Sequence, residues 1–293
     1  MENHKFGGDW TEEKLERLKK YSEAYMTIFK NNLKASYFIT HYVDAFAGTG
    51  YRNTEANSEQ LVTEQEAIDS ETIKKGSAYI ALETSPSFDR FLFIEQRSDF
   101  IEALGNLKEK FPSKGSTIEV RQGEANQVLR SWMQTINWKN NRALVFLDPY
   151  GMQIEWETIE AVASTEAIDL WLLFPLGQAV NRLLTKRELP NEAWASRLDK
   201  FFGTNEWREA FYREPVQVGL FDDEATVEKS VNLEQIGKYF NERLRTIFSG
   251  VASNPLPLKN SKNVPLYLLC FAAGNPRGAP TAIRIAESVL REL

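Results

Sequence analysis

The chain of 293 residues contains one cysteine and two histidines. With Cys270 alone, no disulfide can form within the chain and no cysteine cluster can hold a metal. His4 and His41 do not make a histidine-rich metal site by themselves. Long apolar runs are also missing, since nothing approaches the roughly 18 residues that mark a membrane span. The opening Met-Glu-Asn-His-Lys lacks the apolar stretch of a signal peptide. These absences favour the cytoplasm. A basic excess is lacking too: 35 Lys and Arg stand against 41 Asp and Glu. That balance argues against a chain coated in cations, though a local basic patch remains open. The remaining composition, 42% hydrophobic and 26% charged, is that of a folded globular protein. The length suits one large α/β domain, or one domain carrying an inserted subdomain.

Apolar segments alternate between two periods. Residues 9–33 predict an amphipathic helix, with Asp9 and Glu12 at its start and Leu15, Leu18, Tyr25, Ile28, Phe29 and Leu33 on one face. The charged residues Glu12, Glu13, Glu16, Lys19 and Lys20 read as its solvated side. Strands are expected at 37–43, 88–95, 117–121, 143–147 and 167–174, with helices near 98–111, 126–136 and 155–163 between them. Ser77 is the expected cap of a helix beginning there, and residues 52–75 read as a polar surface insertion. Near-continuous apolar strands alternating with helices indicate a parallel sheet covered on both faces. The fold class is therefore α/β, Rossmann-like and doubly wound.

Candidate chemistry gathers at the strand ends. The stretch His-Tyr-Val-Asp-Ala-Phe-Ala-Gly-Thr-Gly, residues 41–50, is a buried strand running into a glycine turn. Gly48 and Gly50 let a ligand approach the backbone, and Asp44 stands where open parallel sheets bind ligands. Glu95 ends the second strand, where an acid can accept hydrogen bonds from ribose hydroxyls. Glu124, Ala125 and Asn126 follow the third strand, and Asp148, Pro149 and Tyr150 follow the fourth. In a sheet of this winding a long ligand can touch all of these ends. The glycine pattern departs from G-x-G-x-x-G, with Asn53 at the third glycine position. A structural turn is the competing reading of Gly48–Gly50, and packing or capping is the competing reading of Asp148 and Tyr150.

Asp-Ala-Phe-Ala-Gly-Thr-Gly, Glu95 and Gly123–Asn126 resemble the cofactor segments of class I S-adenosylmethionine-dependent methyltransferases. Asp148-Pro149-Tyr150-Gly151 is similar to the (Asp/Asn)-Pro-Pro-(Tyr/Phe) signature of enzymes that methylate amino groups of nucleic-acid bases, but the second proline is absent. Nearly the whole chain resembles the three-Cys-motif partner (TcmP) family. The likeness rests on Asp44–Gly50, Phe146–Gly151, Leu173–Gly177 with Asn181-Arg182-Leu183, and Leu268–Pro276. It implies a methyltransferase sheet whose last strand is antiparallel. It also implies S-adenosyl-L-methionine as cofactor, held by Asp44, Phe46, Gly48, Gly50, Glu95, Glu124, Ala125 and Asn126. Asp148, Pro149 and Tyr150 would present the acceptor. A separate three-Cys-motif protein is the implied partner, with a nucleic acid or nucleotide base as substrate. A scaffold that keeps the fold and serves that partner without catalysis is the alternative.

Residues 176–264 differ in character and are expected to form a helical substrate or partner insert. Residues 1–175 and 265–293 would then make up the sheet domain. Between Pro175 and Pro265 there are 13 Lys and Arg against 12 Asp and Glu, so this part is near neutral, with an acidic loop at Asp222-Asp223-Glu224. Arg182, Lys186, Arg187, Arg208 and Arg213 are candidates to meet phosphates. Aromatics such as Phe201, Phe202, Trp207 and Phe211 suit either base stacking or core packing. His41, Trp156 and Trp171 read as core residues, and Asn275-Pro276 as a turn or part of the site wall.

Overall fold

The computed structural model describes residues 9–53, 73–213 and 227–291. His4 and the acidic loop at Asp222–Glu224 lie outside them, as do residues 54–72 of the polar insertion. Helix α1 (Asp9–Asn31) leads into strand β1 (Ile39–Asp44). The short strands β2 (Tyr51–Asn53) and β3 (Ile73–Lys75) pair antiparallel at the two ends of that insertion. Helix α2 (Ser77–Glu83), β4 (Arg90–Glu95), α3 (Ser98–Lys110), β5 (Ile118–Gln122) and α4 (Ala125–Thr135) follow. Then come β6 (Asn141–Leu147), α5 (Trp156–Ser164) and β7 (Ile168–Phe174).

The central sheet runs β5-β4-β1-β6-β7 and continues into β12 (Pro265–Ala273). The first five strands are mutually parallel, whereas β12 lies antiparallel to β7. At the far edge β10 (Gly250–Val251) and β11 (Leu256–Lys259) both pair with β12. Neither short strand is evident in the sequence: β10 has only two residues, and Pro255 and Pro257 stand before and within β11. An edge strand tolerates such prolines, having one side free of ladder bonds. Strand order reverses between β1 and β6, so the crevice at their carboxyl ends is the topological switch point.

Side chains alternate across the sheet, as strand geometry requires. Tyr42, Phe91, Phe93, Phe146 and Trp171 pack on one face against Leu15, Leu18, Tyr21 and Met26 of α1. The closing helix α9 (Ala279–Val289) covers the same face. Val43, Leu92, Val145 and Leu172 pack on the other face against α4 and α5. Both faces are thus buried, which explains the near-continuous apolar strands.

The stretch between β7 and β12 contains α6 (Glu192–Phe202), α7 (Trp207–Phe211), β8 (Tyr212–Arg213), β9 (Glu228–Lys229) and α8 (Leu233–Arg245). Its aromatics join the second apolar face. Phe240 stacks on Phe174, the last residue of β7, at 4.2 Å between ring centroids. Phe201 touches both rings, at 5.7 Å from Phe240 and 5.6 Å from Phe174, so the three close a triangle. Phe201, Phe202, Trp207 and Phe211 are buried in this cluster, so their function is packing. Trp156 and Trp171 are buried as well. Cys270 sits inside β12, paired with Leu172, and burial pushes its thiol pKa up.

Candidate functional site

The turn after β1 is braced from two sides. Asp44 is fully buried, and its carboxylate accepts hydrogen bonds from the Phe46 amide at 3.1 Å and from Ser77 Oγ at 2.5 Å. Ser77 is therefore the first residue of α2 rather than its cap, which is Gly76; its hydroxyl ties the helix to β1. Burial raises the Asp44 pKa from 3.8 to about 7, against the pull of those two donors. Gly48 (φ +57°) and Gly50 (φ +78°) occupy left-handed backbone that favours glycine. The two differ in surroundings. A Cβ on Gly50 would meet Leu107 Cδ1 at 3.0 Å, whereas one on Gly48 would meet nothing within 4 Å. Gly50 turns the chain against the core, and Gly48 faces open space.

Glu95, at the end of β4, is half-buried. One carboxylate oxygen accepts from the Gly48 amide at 3.0 Å, and the other from the amides of Gln96 and Arg97 at 2.9 and 3.0 Å. Three of its roughly four acceptor directions are filled, so it clamps the glycine turn to β4 and, among the described residues, keeps one direction free. Glu124 caps α4, accepting from the Asn126 and Gln127 amides at 2.9 and 2.8 Å. Burial alone would raise its pKa, but these donors hold it below the usual value. Ala125 and Asn126 are buried. The Asn126 amide donates to Glu124 and to the Gln153 carbonyl, and accepts from the Glu155 amide and Thr158 Oγ1. With two donations and two acceptances its polar capacity is complete, which makes it a brace between α4 and the loop entering α5.

Asp148 emerges from β6 beside this turn; Asp44 is level with Phe146 in the ladder, two residues earlier. Its carboxylate forms an ion pair with Lys14 of α1, a lysine only 4% exposed. The Lys14 ammonium also lies over the rings of Trp10 and Phe146, at 5.4 and 5.9 Å from their centroids. Trp10 in turn stacks on Tyr267 of β12 at 4.9 Å. Pro149 is buried, while Tyr150 projects outward at 89% exposure. Lys14 was not among the candidates, although one signal pointed to it. Trp10, Lys14, Leu18, Tyr21 and Tyr25 fall on one helical row, so Lys14 is a charge on the core-facing side.

Around the carboxyl edge, Arg182, Lys186 and Arg187 form no ion pair among the described residues. Lys186 also lies near Lys229, whose pKa is lowered first by burial and then by that neighbour. Arg208 is different: it grips Asp199 through two hydrogen bonds of 2.6 and 3.0 Å, so its charge is already met. Asn275 accepts from the Arg277 and Gly278 amides and turns the chain into α9. His41 is buried, with Nε2 against Asn141 Oδ1 at 2.8 Å. It lines a cavity of about 310 Å³ with Arg90, Trp132 and Ile136, at the amino ends of the strands and away from the switch point. No group of residues able to hold a metal occurs among the described residues, and no described helix is long and apolar enough to cross a membrane.

No family model matches the sequence, and no curated relative matches it. Among solved structures, protein LPL1258 from Legionella pneumophila str. Philadelphia 1, described under family model DUF519, aligns at a TM-score of 0.51 and 15% identity, over 97% of this chain and 92% of that one. The N-terminal domain of EvdMO1, in the presence of SAH and D-fucose, aligns at a TM-score of 0.37 and 8% identity, over 87% and 81%. The first likeness shows a shared fold along nearly the whole chain, and the second is too slight to argue from. The fold is a Rossmann-like, doubly wound sheet, mostly parallel with an antiparallel β12.

Proposed function

We propose that the protein is an S-adenosylmethionine-dependent methyltransferase acting on an amino group of a nucleic-acid or nucleotide base. One observation carries this reading: the Asp44–Gly50 turn and the Asp148–Tyr150 segment stand side by side at the switch point between β1 and β6. Residues there fit the cofactor. Gly48 offers a backbone face with open space where a side chain would stand, Glu95 keeps an acceptor direction for a ribose hydroxyl, and half-buried Phe46 lies beside them. Glu124 and Ala125 shape the adenine side through the capped start of α4, while Asp44, Gly50 and Asn126 hold the frame. When bound, the cofactor supplies an electrophilic methyl group on a sulfonium sulfur.

The chain's own residues then position the acceptor. The Asp148 oxygen not held by Lys14 and the Pro149 carbonyl accept the amine's hydrogens, which turns the nitrogen lone pair towards the methyl carbon. A cofactor held by the Gly48 backbone and Glu95 would supply the methyl group as an electrophile with sulfur as leaving group, and the amine so positioned would provide the electron pair and release a proton to solvent. Tyr150 at the rim suits stacking on a base. Arg182, Lys186 and Arg187, which form no ion pair among the described residues, suit a phosphate backbone. The family resemblance adds a three-Cys-motif partner to the proposal.

Calorimetry with S-adenosylmethionine tests the cofactor site first. Binding by the wild type, weakened at least about tenfold by Glu95→Ala, is expected; no binding by the wild type would remove the reading. Methyl transfer from labelled cofactor to pooled RNA and DNA, with and without the co-purified partner, tests the substrate.

A further inference from the structure

The acceptor side is assembled from four separate parts of the chain. Helix α1 contributes Trp10 and Lys14, the end of β6 contributes Asp148 and Tyr150, and β12 contributes Tyr267. Arg182, beyond β7, is close enough to act on the Tyr267 phenol. Burial raises that phenol's pKa, Asp148 and Tyr150 add to the rise, and Arg182 opposes it. Two of the aromatic members are in contact, Trp10 being stacked on Tyr267, and Tyr150 is exposed at the rim. Within this wall the Asp148 carboxylate is met by the ammonium of Lys14, whose side chain is only 5% exposed, against 27% for Asp148.

A buried lysine is costly to desolvate, and exchanging such a pair for apolar residues is often neutral or stabilising. Stability alone therefore gives a weak account of Lys14. Its effect on the slot is definite. An isolated carboxylate between aromatic rings would attract ammonium groups, by charge and by cation–π contact. A protonated amine, however, has no lone pair to offer an electrophilic carbon. With Lys14 in place the carboxylate keeps a hydrogen-bond acceptor but loses its net pull on cations.

We propose that Lys14 is a specificity-determining residue: by pairing with Asp148 it makes the acceptor side a charge-balanced, aromatic-walled slot for an uncharged planar group, and excludes cationic amines. The role in selecting an acceptor rests on the methyl-transfer reading, whereas the charge balance of the slot does not.

Two probes separate the outcomes, cytidine and benzylammonium, titrated against the protein by ligand-observed NMR. The wild type is expected to prefer cytidine. Lys14→Met leaves Asp148 unmatched, so the cytidine-to-benzylammonium preference should fall at least about tenfold, a change of about 1.4 kcal/mol. Lys14→Arg should keep the wild-type preference. The double variant Lys14→Met/Asp148→Asn removes both charges and should regain it, which also covers the case in which the single variant fails to fold. A wild type that favours benzylammonium or binds neither probe overturns the proposal, as does a preference unchanged in Lys14→Met or not regained in the double variant. Calorimetry with S-adenosylmethionine on the same samples separates the two readings. Loss of cofactor binding alone would sink the methyltransferase reading and leave the probe result to decide the slot.

Discussion

Asp44 is a carboxyl group enclosed by its own protein, and its protonation is tied to folding. The folded value of about 7 lies above the roughly 4 of an unfolded aspartate. Between those pH values the native state holds a proton that the unfolded chain releases. The stability this group contributes is complete below about pH 4 and is lost as pH rises through about 7. In Asp44→Asn that dependence disappears. Relative to the wild type, the variant's urea midpoint should therefore improve steadily from about pH 4 to 7; parallel curves would contradict the assignment. The two glycines give a second contrast. Gly48→Ala should cost about 1–2 kcal/mol from left-handed backbone alone. Gly50→Ala should cost more, because Leu107 must also yield. Equal losses on chemical denaturation would show that the core does not press on Gly50.

At the scale of elements, α4 and the loop entering α5 are joined by one side chain. Asn126→Ala removes four hydrogen bonds at a buried position and strands the Glu155 amide and Thr158 hydroxyl. The expected loss is about 3 kcal/mol, read as a lower urea midpoint with an unchanged slope; a loss below about 1 kcal/mol would mean that water replaces the amide. The parallel elements were legible because β1, β4, β6 and β7 are largely apolar runs, the first three of them leading into an acid. Asp44, Glu95, Glu124 and Asp148 could be placed along one edge by counting strands alone. What each carboxylate touches was not legible. Lys14 meets Asp148 across 134 positions, and Ser77, readable as a cap, turns instead to Asp44. Strands β10 and β11 were hidden for other reasons: β10 is only two residues long, and the prolines at 255 and 257 argue against β11 even though it forms a hairpin with β12.

Across the whole molecule, the stretch between β7 and β12 is held by the same apolar face as the sheet. Phe174 ends β7 and lies against Phe201 and Phe240. The sequence showed the change from alternating strands to helices after β7, but not that residues 250–259 of the stretch return to the sheet as β10 and β11. Its packing depends on contacts between distant aromatics, which periodicity cannot specify. Strand β12 closes the arrangement, with β7 on one side and β10 and β11 on the other. It also carries the chain's only thiol, Cys270, at 1% exposure. A thiol in that position is a built-in clock. A cysteine reagent can reach it only when the sheet parts, so its labelling rate counts opening events with no probe added. In mild urea that rate should rise with the slope of global unfolding. A rate insensitive to urea would instead reveal that β12 and its edge strands detach on their own.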